Sequence, residues 1–131
     1  MKPMHNERRQ TLRYPVVLDI DLVLEDGTIL PVKTLNISHN GLQFSCDSII
    51  ANEIEPRGIH SHSTDHLKMK VVATFPMDDE NKKFYASCQV IAARRLSQEN
   101  FLLGLEFYDF EKSSDKVLKN YIELLSSGKS G

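Results

Sequence analysis

An all-β domain, six antiparallel strands closed or nearly closed into a barrel with one C-terminal helix, is the fold this sequence predicts. Apolar and polar residues alternate with period two in six separate stretches. Those stretches follow one another at hairpin spacing, with no helical pattern between them, which is how barrels and sandwiches read. Only after Ser113 does the apolar period lengthen to that of a helix. The chain has 131 residues, enough for a single domain. A domain of that size buries roughly two thirds of its unfolded surface.

The first alternation runs through Tyr14, Val16, Leu18, Ile20, Leu22 and Leu24, with Asp19 and Asp21 between them, and predicts one long half-buried strand. Glu25-Asp26-Gly27-Thr28 supplies an Asp-Gly hairpin turn, and the chain returns over Ile29 to Ile37, with Pro31 marking an edge or a bulge. After "NISHNG", residues 36 to 41, the alternation resumes at Leu42, Phe44 and Cys46. Residues 47 to 66 lose it and collect Asn52, Pro56, Gly58, three histidines and several serines, so they read as a long loop or irregular excursion. Leu67, Met69, Val71, Ala73 and Phe75 form the next strand. The polar turn "MDDENKK" leads to Phe84, Ala86, Cys88, Val90 and Ala92, and "SQEN" leads to Phe101, Leu103, Leu105 and Phe107. Ser113, Ser114 and Asp115 can cap a helix whose apolar face is Val117, Leu118, Tyr121, Ile122 and Leu125, placed to cover one end or wall of the barrel. The expected organisation is thus a flexible basic arm over 1–13, a barrel over 14–110, a helix over 111–126 and a disordered tail over 127–131.

Sixteen Lys and Arg against eighteen Asp and Glu give a net charge of −2, so there is no broad basic field for long nucleic acid. The positive charge is local. Lys2, Arg8, Arg9 and Arg13 face only Glu7 in the first thirteen residues, which suits a small anionic partner. No apolar run reaches the ~18 residues of a spanning helix, and the N-terminus lacks the apolar core of a signal peptide, so no membrane insertion is expected and the expected compartment is the cytoplasm. Cys46 and Cys88 lie 42 positions apart, outside any CxxC pair, and read as reduced, semi-buried thiols.

"NISHNG" can be read three ways. Asn36-Ile37-Ser38 is a glycosylation sequon, which a cytoplasmic chain would not use. Asn40-Gly41 can make a hairpin turn through positive φ angles. Or Asn36 and Ser38, two apart on a continuing strand, leave the same face and form a polar patch, with Gly41 keeping the surface clear for a flat ligand. The other polar motif, "ERRQTLR", sets Arg9 and Arg13 four apart just before the first strand. Arginine forks bind phosphate oxygens, pair with guanine O6 and N7 and stack on bases, but alone this stretch reads better as a solvated basic arm.

Taken together the two motifs are more specific. RxxxR, standing as Arg9-Gln10-Thr11-Leu12-Arg13, and D/N-x-S-x-x-G, standing as Asn36-Ile37-Ser38-His39-Asn40-Gly41, are separated by the first hairpin. This pair resembles the signature of the PilZ family of cyclic di-GMP receptors. The "GLEF" of the closing strand (Gly104 to Phe107) and the C-terminal helix are similar too, and the likeness extends over about residues 8 to 125. The resemblance implies a PilZ-type barrel in which Arg9 and Arg13 clamp the phosphates and guanines of the dinucleotide. By the same resemblance, Asn36 and Ser38 hydrogen-bond a guanine and Gly41 shapes the turn. Arg8 is similar to the extra arginine that lets some members take an intercalated ligand dimer. The implied function is a receptor and adaptor whose arm closes on cyclic di-GMP and alters the surface seen by an unidentified effector protein. No further cofactor is implied.

Competing readings are a PilZ-like scaffold that binds no nucleotide, and an oligonucleotide-binding barrel. The scaffold would not need Arg9, Arg13, Asn36, Ser38 and Gly41 together. An oligonucleotide-binding barrel would want aromatics on a basic face, whereas the few aromatics here sit mostly at alternating core positions and the total charge is negative. His60, His62 and His66 with Asp65 have spacings that could hold a metal, but no cysteine joins them and a polar loop is the better reading. Arg94-Arg95 offers one outward guanidinium. Gly128-Lys129-Ser130 is like the end of a phosphate-binding P-loop, but Glu123 stands where that motif needs glycine. Neither Ser-His-Asp nor Cys-His groupings nor paired strand-end carboxylates are visible, so an enzyme is not expected.

Overall fold

The computed structural model describes residues 12–59 and 67–128. Seven strands and two helices follow in the order β1 (Tyr14–Pro15), β2 (Asp19–Leu24), β3 (Ile29–Ile37), β4 (Gly41–Asp47), α1 (Ser48–Ile54), β5 (Lys68–Pro76), β6 (Asn81–Arg95), β7 (Asn100–Glu111) and α2 (Ser114–Ser126). All pairings are antiparallel. β3, β2, β5, β6, β7 and β4 are neighbours in that order and β4 pairs back to β3, so six strands close a barrel, with β1 joined to β3 beside β2. The alternation fixes which residues fill it. Leu18, Ile20 and Leu22 point in, as do Leu42 and Phe44, Val71 and Phe75, Phe84 and Cys88, and Leu103 and Leu105.

One end of this core is closed by α2. Its Tyr121 ring stacks on Phe75 with centroids 4.4 Å apart, Phe75 stacks on Phe84 at 4.8 Å, and Phe107 meets Phe84 edge-on at 5.3 Å. The chain enters this helix through Lys112 and Ser113, both at positive φ (56° and 61°), a turn that costs side-chain-bearing residues energy. Ser113 makes no side-chain cap. The next hydroxyl does different work, for Ser114 Oγ accepts the Tyr85 N–H at 2.8 Å and ties the helix start to β6.

The sequence pattern misreads the wall in three places. The expected long first strand is interrupted between Pro15 and Asp19, where the buried Thr34 side chain adds to the backbone bonds of Val16 N–H to the Leu35 carbonyl and Thr34 N–H to the Leu18 carbonyl. Thr34 Oγ1 accepts the Leu18 N–H (2.9 Å) and donates to the Val16 carbonyl (2.7 Å). The stretch expected as loop over 47–66 starts with α1. Asp47 caps it by accepting the Ile50 N–H at 2.9 Å, and Ala51 and Ile54 are buried under it. Finally, Ala92 is exposed where the alternation places it inside, because β6 carries a bulge between Val90 and Ala92 that shifts every later residue by one face.

Cys46 and Cys88 are buried free thiols. Burial pushes Cys46 from 9.0 up to about 11, helped by the neighbouring Asp47 carboxylate, and pushes Cys88 up to about 12. Above the ordinary thiol value the unfolded chain releases protons that the folded chain keeps, so stability present below that value falls as pH rises. The melting temperature is expected to decline from about pH 9 upward, and Cys88→Ala should flatten that decline. An identical slope in the variant would refute the assignment to Cys88.

Candidate functional site

Of the polar residues singled out by the sequence, Arg13, Asn36 and Ser38 lie at the junction of β1, β3 and β4. Along β3 the even residues Leu30, Val32 and Thr34 face the core, and uninterrupted alternation would bury Asn36 as well. Instead the β3–β4 register slips between Thr34 and Asn36. Leu35 is the extra residue. The bulge reverses the parity, so Ile37 goes inside and Asn36 emerges half-buried on the outer wall, a common use of bulges beside sites.

Asn36 is then held from both sides. Its Oδ1 accepts from Arg13 Nη1 at 3.2 Å, and its Nδ2 donates to Gln43 Oε1 at 2.8 Å. Pro15, paired with Asn36 across β1 and β3, keeps Arg13 close by. One half of the expected site, Arg13, therefore touches the other half directly. Arg8 and Arg9 lie outside the described residues.

Ser38 does not share the face of Asn36. The strand ends at Ile37, and Ser38 is 1 % exposed within the turn. Its Oγ accepts the N–H groups of Asn40 (3.1 Å) and Gly41 (3.2 Å) and lies 3.3 Å from the Gly41 carbonyl, to which it donates. The Ser38 N–H also reaches that carbonyl at 2.8 Å. The hydroxyl thus organises the turn. Nor do Asn40 and Gly41 supply positive φ, since neither is among the residues in that region. Gly41 is required for closeness: a Cβ there would lie 1.9 Å from the Leu105 carbonyl oxygen of β7. The Phe107 N–H bonds the Asn40 carbonyl at 2.8 Å, fixing the turn to β7.

Around this junction a hollow of about 160 Å³ is lined by Arg13, Ser38, Asn40, Gly41, Ile91, Leu105 and Glu106. Ile91, at the β6 bulge, is 50 % exposed and forms an apolar wall. A guanidinium, a carboxylate and an apolar surface around one hollow can hold a planar group that carries both donors and acceptors. Sequence reasoning missed Ile91 and Glu106. The break in alternation at Val90-Ile91-Ala92-Ala93 was the one signal for Ile91, whereas Glu106 stood inside the GLEF stretch with no ligand role assigned to it. Among the described residues no three His, Cys, Asp or Glu are grouped to hold a metal, and His60, His62, Asp65 and His66 lie outside the described residues. No described helix is long and apolar enough to cross a membrane.

Comparison with known proteins gives a matching family and two informative folds. The model of the PilZ domain family matches residues 7–124. The Bacillus subtilis inhibitor of motility MotI/DgrA superposes with a TM-score of 0.69 at 17 % identity, covering 95 % of this chain and 54 % of that one. Borreliella burgdorferi PlzA, solved in complex with c-di-GMP, superposes at 0.57 with 13 % identity, covering 98 % of this chain and 57 % of that one. The chain thus spans little more than half the length of either structure. No curated protein matches the sequence.

Proposed function

The chain belongs to the PilZ domain family, and from that premise we propose that it is a receptor and adaptor for cyclic di-GMP. The observation that carries this reading is the Arg13–Asn36 hydrogen bond at 3.2 Å, which links the RxxxR motif directly to the D/N-x-S-x-x-G motif. The ligand has two phosphate charges and two guanines. It needs cationic forks for the phosphates and for guanine O6 and N7, and acceptors for the guanine N1 and N2 hydrogens. Arg13 supplies a fork, Asn36 and Glu106 supply acceptor oxygens, and Ile91 supplies apolar cover. In this reading Arg8 and Arg9 add further guanidinium groups as the arm closes, and the altered surface acts on an effector protein by contact. The chain is read as a binding protein, without a catalytic step.

Ser38 enters this scheme through the turn. Ser38→Ala leaves the Asn40 and Gly41 N–H groups without their acceptor and should loosen the loop, weakening cyclic di-GMP binding by about tenfold, the equivalent of one buried hydrogen-bonding group left unsatisfied. Isothermal titration with cyclic di-GMP, and with GTP as comparison, tests both statements. The receptor reading predicts saturable binding of cyclic di-GMP alone. No heat at high micromolar ligand, or equal binding of GTP, would sink it.

A further inference from the structure

We infer that a groove between α2 and the β5–β6 turn is the resting seat of the chain's own basic arm, residues 1–11, and that cyclic di-GMP draws the arm out of it; the second half rests on the receptor reading. The groove has a volume of about 440 Å³. Asn120, Glu123, Leu124 and Ser127 of α2 line one side, and the turn from Met77 to Glu80 lines the other. Positions 120, 123, 124 and 127 share one face of the helix, so the stripe runs along the groove. Met77 and Leu124, both half-buried, supply its apolar surface.

The rim is acidic. Asp78, Asp79, Glu80 and Glu123 stand around it against a single cation, Lys82, and Glu80 takes that cation at 2.6 Å. Asp78, Asp79 and Glu123 are exposed, and no ion pair engages them among the described residues. The C-terminal end of α2 adds to the negative field, because its last turn carries no basic residue. Such a groove fits a short segment that carries cations beside apolar side chains.

Residues 1–11 have that composition. Lys2, Arg8 and Arg9 oppose Glu7 alone, and Met1, Pro3 and Met4 are apolar. The topology also roots the arm at the right end of the barrel. β3 ends and β4 begins at the same end where β5 ends and β6 begins, and β1 pairs with the last residues of β3 and lies against α2. β5 stands two strand spacings from β3, about 10 Å. Arg8 comes four residues before Leu12, about 13 Å of extended chain, and Lys2 comes ten before it, about 33 Å. The groove is therefore within reach. The carboxylates of the groove and the phosphates of the dinucleotide compete for the same guanidinium groups, so occupancy of one site opposes occupancy of the other.

Carbodiimide treatment of the full chain, which joins an amine to a carboxylate it touches, reads the seat directly. Lys2 is expected to couple to Asp78, Asp79 or Glu123 with a yield independent of chain concentration, and saturating cyclic di-GMP should lower that yield severalfold. No such coupling, or a yield that falls on dilution, would overturn the seat, the latter by placing the arm on a second copy. Coupling unchanged by saturating ligand would overturn the release. Removing the three carboxylates together, as Asp78→Asn, Asp79→Asn and Glu123→Gln, should tighten cyclic di-GMP binding about threefold, as an arm seated about two thirds of the time requires. Folding should hold, since all three side chains are exposed. The control, Asp21→Asn with Glu25→Gln and Glu53→Gln, removes three exposed carboxylates elsewhere for the same change of net charge. Equal gains of affinity in the two triple variants, or none in either, would overturn the competition. Failure of the unmutated chain to bind cyclic di-GMP would overturn the receptor reading and the release with it, while the coupling of Lys2, measured without nucleotide, still decides the seat.

Discussion

Gly41→Ala is expected to destabilise the protein by about 3 kcal/mol, the upper end for forcing an extra methyl into a packed interior. The added Cβ would stand 1.9 Å from the Leu105 carbonyl oxygen, 3.0 Å from its carbon and 3.1 Å from the Glu106 Cα. All three are backbone atoms of a strand that pairs with β4 and β6 together, so nothing nearby can rotate away. Separating β4 from β7 would open the barrel seam at the turn that Ser38 organises. A domain stability of roughly 5–15 kcal/mol makes such a loss easily visible in urea denaturation. Gly27→Ala is the control. Gly27 has φ +93° with nothing within 4 Å of where a methyl would stand, so only backbone strain is added there, about 1 kcal/mol. If Gly41→Ala proves no worse than Gly27→Ala, close approach is not the reason for glycine at 41.

Arg13→Ala is expected to reduce cyclic di-GMP affinity by about a hundredfold, the scale of losing a charge-assisted fork on an anionic ligand. Folding should be almost untouched, since the side chain is exposed and bonds to Asn36 across open surface. Arg13→Lys should recover little, because an ammonium keeps the charge but not the planar pair of donors. Calorimetric titration beside a thermal melt separates the two effects. Retention of affinity within a few-fold in Arg13→Ala would show that the arginine is not a ligand clamp.

The inward residues of the strands were legible because a half-buried sheet forces apolar residues onto one face. Leu18 to Leu22, Leu42 to Cys46 and Val71 to Phe75 are placed as their alternation requires. A bulge has no composition of its own, so Leu35 and Ile91 were not foreseen, and each reverses the facing of the residues that follow. Asn36 and Ser38, two apart and expected side by side, part for another reason: the strand ends at Ile37, so one stands on the wall and the other inside the turn. The helix from Ser48 to Ile54 escaped notice for a different reason. Seven residues are too few for a helical period to emerge from a polar stretch, although Asp47 was a readable cap. Arg13, Asn36 and Gly41 were legible as a set only through the likeness of the paired motifs to the PilZ signature. The reason for Gly41 was not, since the carbonyl it must approach belongs to Leu105, on a strand far along the chain.

Closure of the six-stranded ring also limits how another protein can grip this one. Each ring strand has a hydrogen-bonding neighbour on both sides, and β1, the one short piece outside the ring, ends in Pro15, which has no N–H to offer. Among the described residues a visiting peptide therefore finds a main-chain template only where ring strands overhang their neighbours, along Ile29 to Val32 of β3 and Ile91 to Arg95 of β6. Elsewhere on the wall recognition has to proceed through side chains, which a small molecule laid across the wall would remodel. Among the described strands the same closure leaves only short edges for strand-by-strand polymerisation.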